Sequence, residues 1–293
     1  MNSLARSVGA YAKALAETAL RRKTAGRGLT VLPDDVFLVS YLRSGSTWAR
    51  FLFGNLTQEE VITFANVDRL VPLIYDFPDR ILRGLPRLLK SHECFDPRYP
   101  RVIHIVRDPR DVAVSFYYYN IKVGVVPDGY SMEEFVDRFL SARVVGYADR
   151  LGSWEDHTLS WLRLRQGKPG YRFVRYEDLL SDAATELTRV APFLNINPDP
   201  ARIDRAIALS SAGNMRSLEQ KQWKEWETTK NSRSDIPFVR EAKSGGWQSK
   251  LPTAAVHKIE KAWGPTMEEL GYQLSTLPAP GNAVKPLPAD RFQ

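Results

Sequence analysis

Val36-Phe-Leu-Val-Ser-Tyr-Leu-Arg-Ser-Gly-Ser-Thr-Trp48 passes from an apolar run into a short loop of hydroxyl residues, and Ala49-Arg-Phe-Leu-Phe53 follows as a second apolar stretch. Val36 to Val39 reads as a parallel strand buried on both faces. The stretch beginning near Ser46 reads as a helix. A strand, a hydroxyl-glycine loop and a helix N-terminus together make an anion site. The first-turn N–H groups have no partner within the helix, and the helix dipole puts positive potential where they point. Ser44, Ser46 and Thr47 add hydroxyl donors, and Arg43 adds a planar, permanently charged donor fork. A phosphate is expected here.

The same alternation continues outward. Arg87–His92, Arg101–Arg107 and Tyr171–Tyr176 have strand patterns, with helical patterns over 131–142, 153–165, 200–211 and 252–271. Asp108-Pro-Arg-Asp111 is a helix start, with Asp108 as the cap and Pro109 at the first helical position. The helix it opens runs through Ser115 to Tyr119. Residues 214–246 are polar and read as a long loop or lid. Strands alternating with helices predict one α/β domain over residues 31–275, a central parallel sheet flanked by helices in a P-loop-kinase-like architecture. Residues 1–30 read as a peripheral, basic, amphipathic helix and linker, and 276–293 as a Pro-rich tail.

Composition narrows the classes. The chain has 293 residues, 43% hydrophobic and 26% charged, which suits a globular domain. No apolar stretch reaches the roughly 20 residues of a membrane span. The single cysteine, Cys94, rules out an intrachain disulfide, so a cytoplasmic location is expected. No Cys/His cluster has zinc spacing, so no metal is expected. A net charge of +7 favours an anionic ligand. The charges are scattered rather than clustered, so nucleic acid is not expected as a partner. The basic N-terminal helix leaves contact with a membrane surface open.

The loop Tyr41-Leu-Arg-Ser-Gly-Ser-Thr-Trp48 resembles the 5′-phosphosulfate-binding loop of the sulfotransferases that use 3′-phosphoadenosine 5′-phosphosulfate (PAPS). In that family it is usually Tyr-Pro-Lys-Ser-Gly-Thr-Thr-Trp. Further stretches follow in the family's order. Arg107-Asp-Pro-Arg-Asp-Val-Ala-Val-Ser115 resembles the 3′-phosphate segment. Lys90-Ser-His92 resembles the element that supplies the general base. Arg175-Tyr-Glu-Asp178 resembles the one that brings a tyrosine near the adenine. Arg240-Glu-Ala-Lys-Ser-Gly-Gly-Trp247 resembles the Arg-Lys-Gly-x-x-Gly-Asp-Trp clamp, with Glu241 for Lys, Ala242 for Gly and Gly246 for Asp. Ser210 opens a stretch that weakly resembles the adenine segment.

The resemblance implies sulfuryl transfer from PAPS to a hydroxyl or amine of a small-molecule acceptor. The implied chemical group is His92 as base, with Arg43, Lys90 and Ser115. The implied nucleotide-binding set is Arg43, Ser44, Gly45, Ser46, Thr47, Trp48, Arg107, Ser115, Tyr176, Ser210, Arg240, Ala242 and Lys243. An acid at Glu241 opposes a phosphate unless it turns away, and Lys243 stands ready to replace the missing charge. His104 reads as a sheet-face residue, His257 as solvated, and His157 as shaping the acceptor pocket. A nucleoside kinase or NTPase is the rival enzyme class, but the chain has no Gly-x-x-x-x-Gly-Lys-Ser/Thr. A nucleotide-binding relative that has lost transfer is the non-enzyme rival.

Overall fold

The computed structural model describes residues 29–75, 86–144 and 151–275. The helix expected over the first 27 residues and the Pro-rich tail lie outside them. Four parallel strands form one sheet: β1 (Val36–Ser40), β2 (Leu88–Ser91), β3 (Arg101–Val106) and β4 (Tyr171–Arg175), in the order β2-β1-β3-β4. β1 is central, with Val36 opposite both Leu88 and Arg101. Every residue of β1 is buried, as expected of a strand covered on both faces. Phe37, Val39, Val102 and Phe173 face one hydrophobic core, and Val36, Leu38, Ile103 and Val174 face the other.

The helices are α1 (Ser46–Thr57), α2 (Val67–Leu70), α3 (Pro109–Lys122), α4 (Met132–Leu140), α5 (Trp154–Arg165), α6 (Tyr176–Ser181), α7 (Ala183–Val190), α8 (Pro200–Leu209), α9 (Ala212–Gln222) and α10 (Thr253–Glu269). Asp108 caps α3 as expected, its side chain accepting from the Arg110 N–H. Ser153 caps α5 in a reciprocal capping box with Asp156. One expectation is corrected: the stretch read as loop or lid from residue 214 begins as the helix α9, capped by Ser211. Its remainder crosses the sheet's C-terminal edge without regular structure until a short 3₁₀ turn at Gly246–Ser249.

Chain order and sheet order reverse direction between β1 and β3. In open parallel sheets, ligands bind outside the C-terminal strand ends at such a point. The β1 loop, the β2 end with Lys90 and His92, and the β3 end with Arg107 all open onto that edge, around one cavity of about 770 Å³.

Candidate active site

The β1 loop is shaped by two left-handed residues, Arg43 at φ 64° and Gly45 at φ 93°. Gly45 caps α1 through its backbone alone. No side chain caps this helix and no acid lies in its first turn, so the N-terminal potential is not cancelled locally. Ser44 Oγ is buried and bonds to nothing among the described residues. A side chain at Gly45 would collide with the Tyr176 ring, so backbone approaches here where no Cβ fits.

Arg43 reaches across to α3. Its Nε donates to Ser115 Oγ at 3.3 Å. Its guanidinium lies between two rings, 4.6 Å from the centre of Tyr119 and 4.4 Å from that of Phe238. Arg43 and Ser115, assigned by resemblance to opposite phosphates, are therefore bonded to each other. Arg107 leaves the end of β3 with its guanidinium 4.3 Å from the Tyr176 ring centre and donates to the Lys243 carbonyl at 3.1 Å. Its Nε is buried and has no hydrogen-bond partner among the described residues. Trp154 steadies this strand end by donating to the Arg107 carbonyl at 3.1 Å.

His92 sits just past β2, 6% exposed, and lines the cavity. Its Nδ1 lies 2.7 Å from the Ser40 carbonyl oxygen. A carbonyl only accepts, so Nδ1 carries the proton and a neutral ring has its lone pair on Nε2. Burial, reinforced by Lys90, holds the His92 pKa well below the usual imidazole value, so the ring is neutral at pH 7. The Tyr75 hydroxyl accepts from the His92 backbone N–H at 3.0 Å and fixes the turn. Lys90 and Glu93 line the cavity on either side of His92.

Trp48 is half-buried. Its Nε1 donates to the Ser210 carbonyl at 3.0 Å, and its ring meets Tyr176 edge-on at 5.4 Å. Ser210 is fully buried, with its hydroxyl accepting from Asn55 at 3.2 Å. Tyr119 and Trp226 line the cavity, whereas Phe95 and Trp154 belong to the core beneath it. His157 is buried there too and does not line the cavity.

In the stretch from Arg240, alanine stands where the clamp it resembles has glycine. Ala242 is left-handed at φ 51°. The Lys243 ammonium lies 3.3 Å from the Glu241 carboxylate. The Gly245 and Trp247 N–H groups donate to Asp111, at 2.8 and 3.0 Å. Asp111 is thus more than a helix-start residue: it anchors the clamp to α3.

A stripe on α3 explains how the site is assembled. Asp111, Ser115, Tyr118, Tyr119 and Lys122 recur every three or four residues and so share a face. Asp111 holds the clamp amides and Ser115 holds Arg43. Tyr118 lies 3.8 Å under the Arg240 guanidinium, and the Lys122 ammonium bonds the carbonyls of Arg233 and Ile236. From α9, Glu219 accepts from the N–H groups of Phe238 and Val239. The spacing was available in the sequence. Lys122, Glu219 and Lys250 were missed because their partners lie more than a hundred residues away, or within an irregular segment, and Tyr118 reads in the sequence only as an aromatic near the expected pocket.

The β1 loop at the sheet's switch point, the cations around it and a neutral, buried imidazole make an α/β cavity suited to an anionic ligand and to proton removal. The chain belongs to the sulfotransferase domain family, whose model matches residues 33–271. It is 27% identical over 262 residues to Sulfotransferase 1E1 of Cavia porcellus, covering 83% of this chain and 86% of that one. It is likewise 27% identical over 263 residues to Sulfotransferase 1E1 of Homo sapiens, covering 83% and 87%. Mouse sulfotransferase SULT7A1 complexed with PAP superposes with a TM-score of 0.64 at 23% identity, over 82% of this chain and 85% of that one. Retinol dehydratase in a complex with retinol and PAP superposes with a TM-score of 0.67 at 18% identity, over 82% and 83%. The activity is sulfuryl transfer from PAPS to an acceptor.

Proposed function

We propose that the acceptor is a small-molecule alcohol or phenol whose hydroxyl proton passes to His92. The observation that carries this reading is the short contact from His92 Nδ1 to the Ser40 carbonyl, which leaves Nε2 as the basic nitrogen of a ring lining the cavity. PAPS supplies the sulfuryl group and a phosphate as leaving group. Orphaned Ser44 Oγ and Arg107 Nε, the uncapped α1 N-terminus and the cradle at Gly45 all suit a nucleotide with phosphates at two positions.

In this reading the loop amides, Ser44, Ser46, Thr47 and Arg43 hold the 5′ end. Arg107, Ser115 and Arg240 hold the second phosphate. Trp48, Tyr176 and Ser210 border the base, and Ala242 and Lys243 complete the clamp. The acceptor oxygen attacks sulfur as the sulfur–oxygen bond to the 5′-phosphate breaks, and that bond's electron pair leaves with the phosphate. Lys90 and Arg43 offset the charge that grows on the departing oxygens. Orientation and proton removal supply the rest of the acceleration. The single cysteine suits a reducing cytoplasm.

The test is transfer of labelled sulfate from PAPS across phenols, alkyl alcohols, steroids and glycans. Product on at least one small alcohol or phenol that disappears with His92→Ala is the expected result. Transfer that survives His92→Ala at the original rate sinks the base assignment.

A further inference from the structure

Glu241 is the unexpected charge at the basic end of the cavity. Its carboxylate lies 3.7 Å from Arg240 and 3.3 Å from Lys243, and it is also paired with Lys250. All four side chains line the cavity. Arg240 and Lys250 share one platform, with their charged groups 3.8 and 5.6 Å from the centre of the Tyr118 ring. Arg107 joins the group through the Lys243 carbonyl, and Asp111 pins the segment from behind at Gly245 and Trp247. Glu241 thus sits where three cations converge beside the residues assigned to the nucleotide's second phosphate, with Asp111, 4.0 Å from Arg107, as a second carboxylate lining the same cavity.

We propose that Glu241 is an internal counter-anion which that 3′-phosphate displaces, and that the displacement frees Lys250 to bind the phosphate alongside Arg240. The inference rests on the nucleotide reading above. A phosphate monoester carries about −1.5 to −2 charge at pH 7 against −1 for a carboxylate and offers three acceptor oxygens, so it outcompetes Glu241 for the same donors. The Glu241 side chain is 34% exposed, so water can receive it when it swings away. A ribose 3′-hydroxyl has no charge to exchange and leaves Glu241 in place. The carboxylate therefore costs the 3′-phosphorylated nucleotide an exchange that a nucleotide lacking the 3′-phosphate does not undergo. Lys250 also replaces the lysine missing from position 241, from nine residues along the chain.

The competing account is that Glu241 only positions the cations, and the two accounts differ in sign. The full chain is titrated calorimetrically with adenosine 3′,5′-bisphosphate and with adenosine 5′-phosphate. Salt is physiological, so that the general change in net charge is screened. Glu241→Gln is expected to tighten the bisphosphate roughly tenfold and leave the monophosphate unchanged. Lys250→Met is expected to weaken the bisphosphate alone. Glu241→Ala serves as a second variant with the same expectation as Glu241→Gln. Weaker or unchanged bisphosphate binding by the Glu241 variants overturns the proposal, as does equal tightening of both nucleotides. An unmodified chain that binds neither nucleotide overturns the nucleotide reading itself and this proposal with it. Normal binding with the wrong sign overturns this proposal alone.

Discussion

Gly45 and Tyr176 pack so closely that a Cβ on Gly45 would lie 2.4 Å from Cδ2 of the tyrosine ring. The same ring lies under Arg107 and meets Trp48 edge-on. Tyr176 therefore ties the β1 loop to the ends of β3 and β4. Its position is set by the first turn of α6, which follows β4 without a linker.

Gly45→Ala meets both that ring and a left-handed backbone at φ 93°. The expected loss is about 2–3 kcal/mol of stability, read by urea unfolding, together with loss of measurable bisphosphate binding. Adding Tyr176→Ala removes the collision but not the backbone strain. The double variant should recover part of the stability loss, and a strictly additive result would contradict the packing account.

Arg43 donates to Ser115 and lies against two ring faces. Lysine keeps the charge and loses both the Nε donor and the planar face. Arg43→Lys is expected to lower kcat about tenfold, and Arg43→Ala by about 10²–10³-fold. Ser115→Ala should cost less in the Arg43→Lys background than in the unmodified chain, because the bond between the pair is already gone. Equal cost in both backgrounds would show that the contact carries no coupling.

His92 is neutral at pH 7 because burial and Lys90 disfavour its charged form. Its folded pKa lies below the ordinary value near 6.5, so the base form persists as the pH falls through that value. Acceptor kcat/KM should therefore show no histidine inflection between about pH 6 and 8. His92→Ala should lower kcat by about 10²–10⁴-fold and leave bisphosphate affinity within about twofold. An inflection near 6.5 would place His92 in a wetter environment than the one described.

The strands were legible because both faces of the sheet are covered. The all-buried run Val36–Val39 has no polar interruption, and the Asp108-Pro109 start is a local signal that the structure keeps. Helix α9 was not legible for the opposite reason. Its buried positions are Met215 and Glu219, and the glutamate is buried because it receives two amides from the Phe238–Val239 segment. A helix whose inner face is charged shows no apolar period. Ser211, which caps it, was the signal available. The β1 loop stood out through local spacing, and His92 through the resemblance carried by Lys90-Ser-His92. The Arg43–Ser115 bond and the Asp111 anchor did not, since each joins residues far apart in the chain.

Ala242 occupies a backbone conformation that glycine adopts without penalty, at φ 51°. Ala242→Gly relieves that strain while raising the flexibility of the unfolded chain. The first effect is about 1–2 kcal/mol and the second somewhat less, for a net gain of up to about 1 kcal/mol. The expected result is a higher urea midpoint with an unchanged slope. A lower midpoint would mean that the clamp does not hold this backbone in solution.

His92, His104 and His157 all have pKa values depressed by burial, His157 to about 3. The unfolded chain binds these protons at higher pH than the folded one. Their contribution is therefore complete above about pH 6.5 and is lost as the pH falls through that value toward the folded pKa. With its folded value at about 3, His157 accounts for about 2 kcal/mol of destabilisation between pH 7 and 5, since one pKa unit corresponds to about 1.4 kcal/mol. Burial raises the carboxyls of Asp111 and Glu177, which act in the opposite direction, so a difference measurement is needed. His157 is fully buried between Tyr41 and His104, with ring centres 5.8 Å from each, and beside the backbone of His92 and Glu93. A phenylalanine has a similar shape and no proton to bind. His157→Phe should lose about 2 kcal/mol less than the unmodified chain between pH 7 and 5 in urea unfolding, and an identical loss in the two proteins would mean that His157 does not titrate in this way.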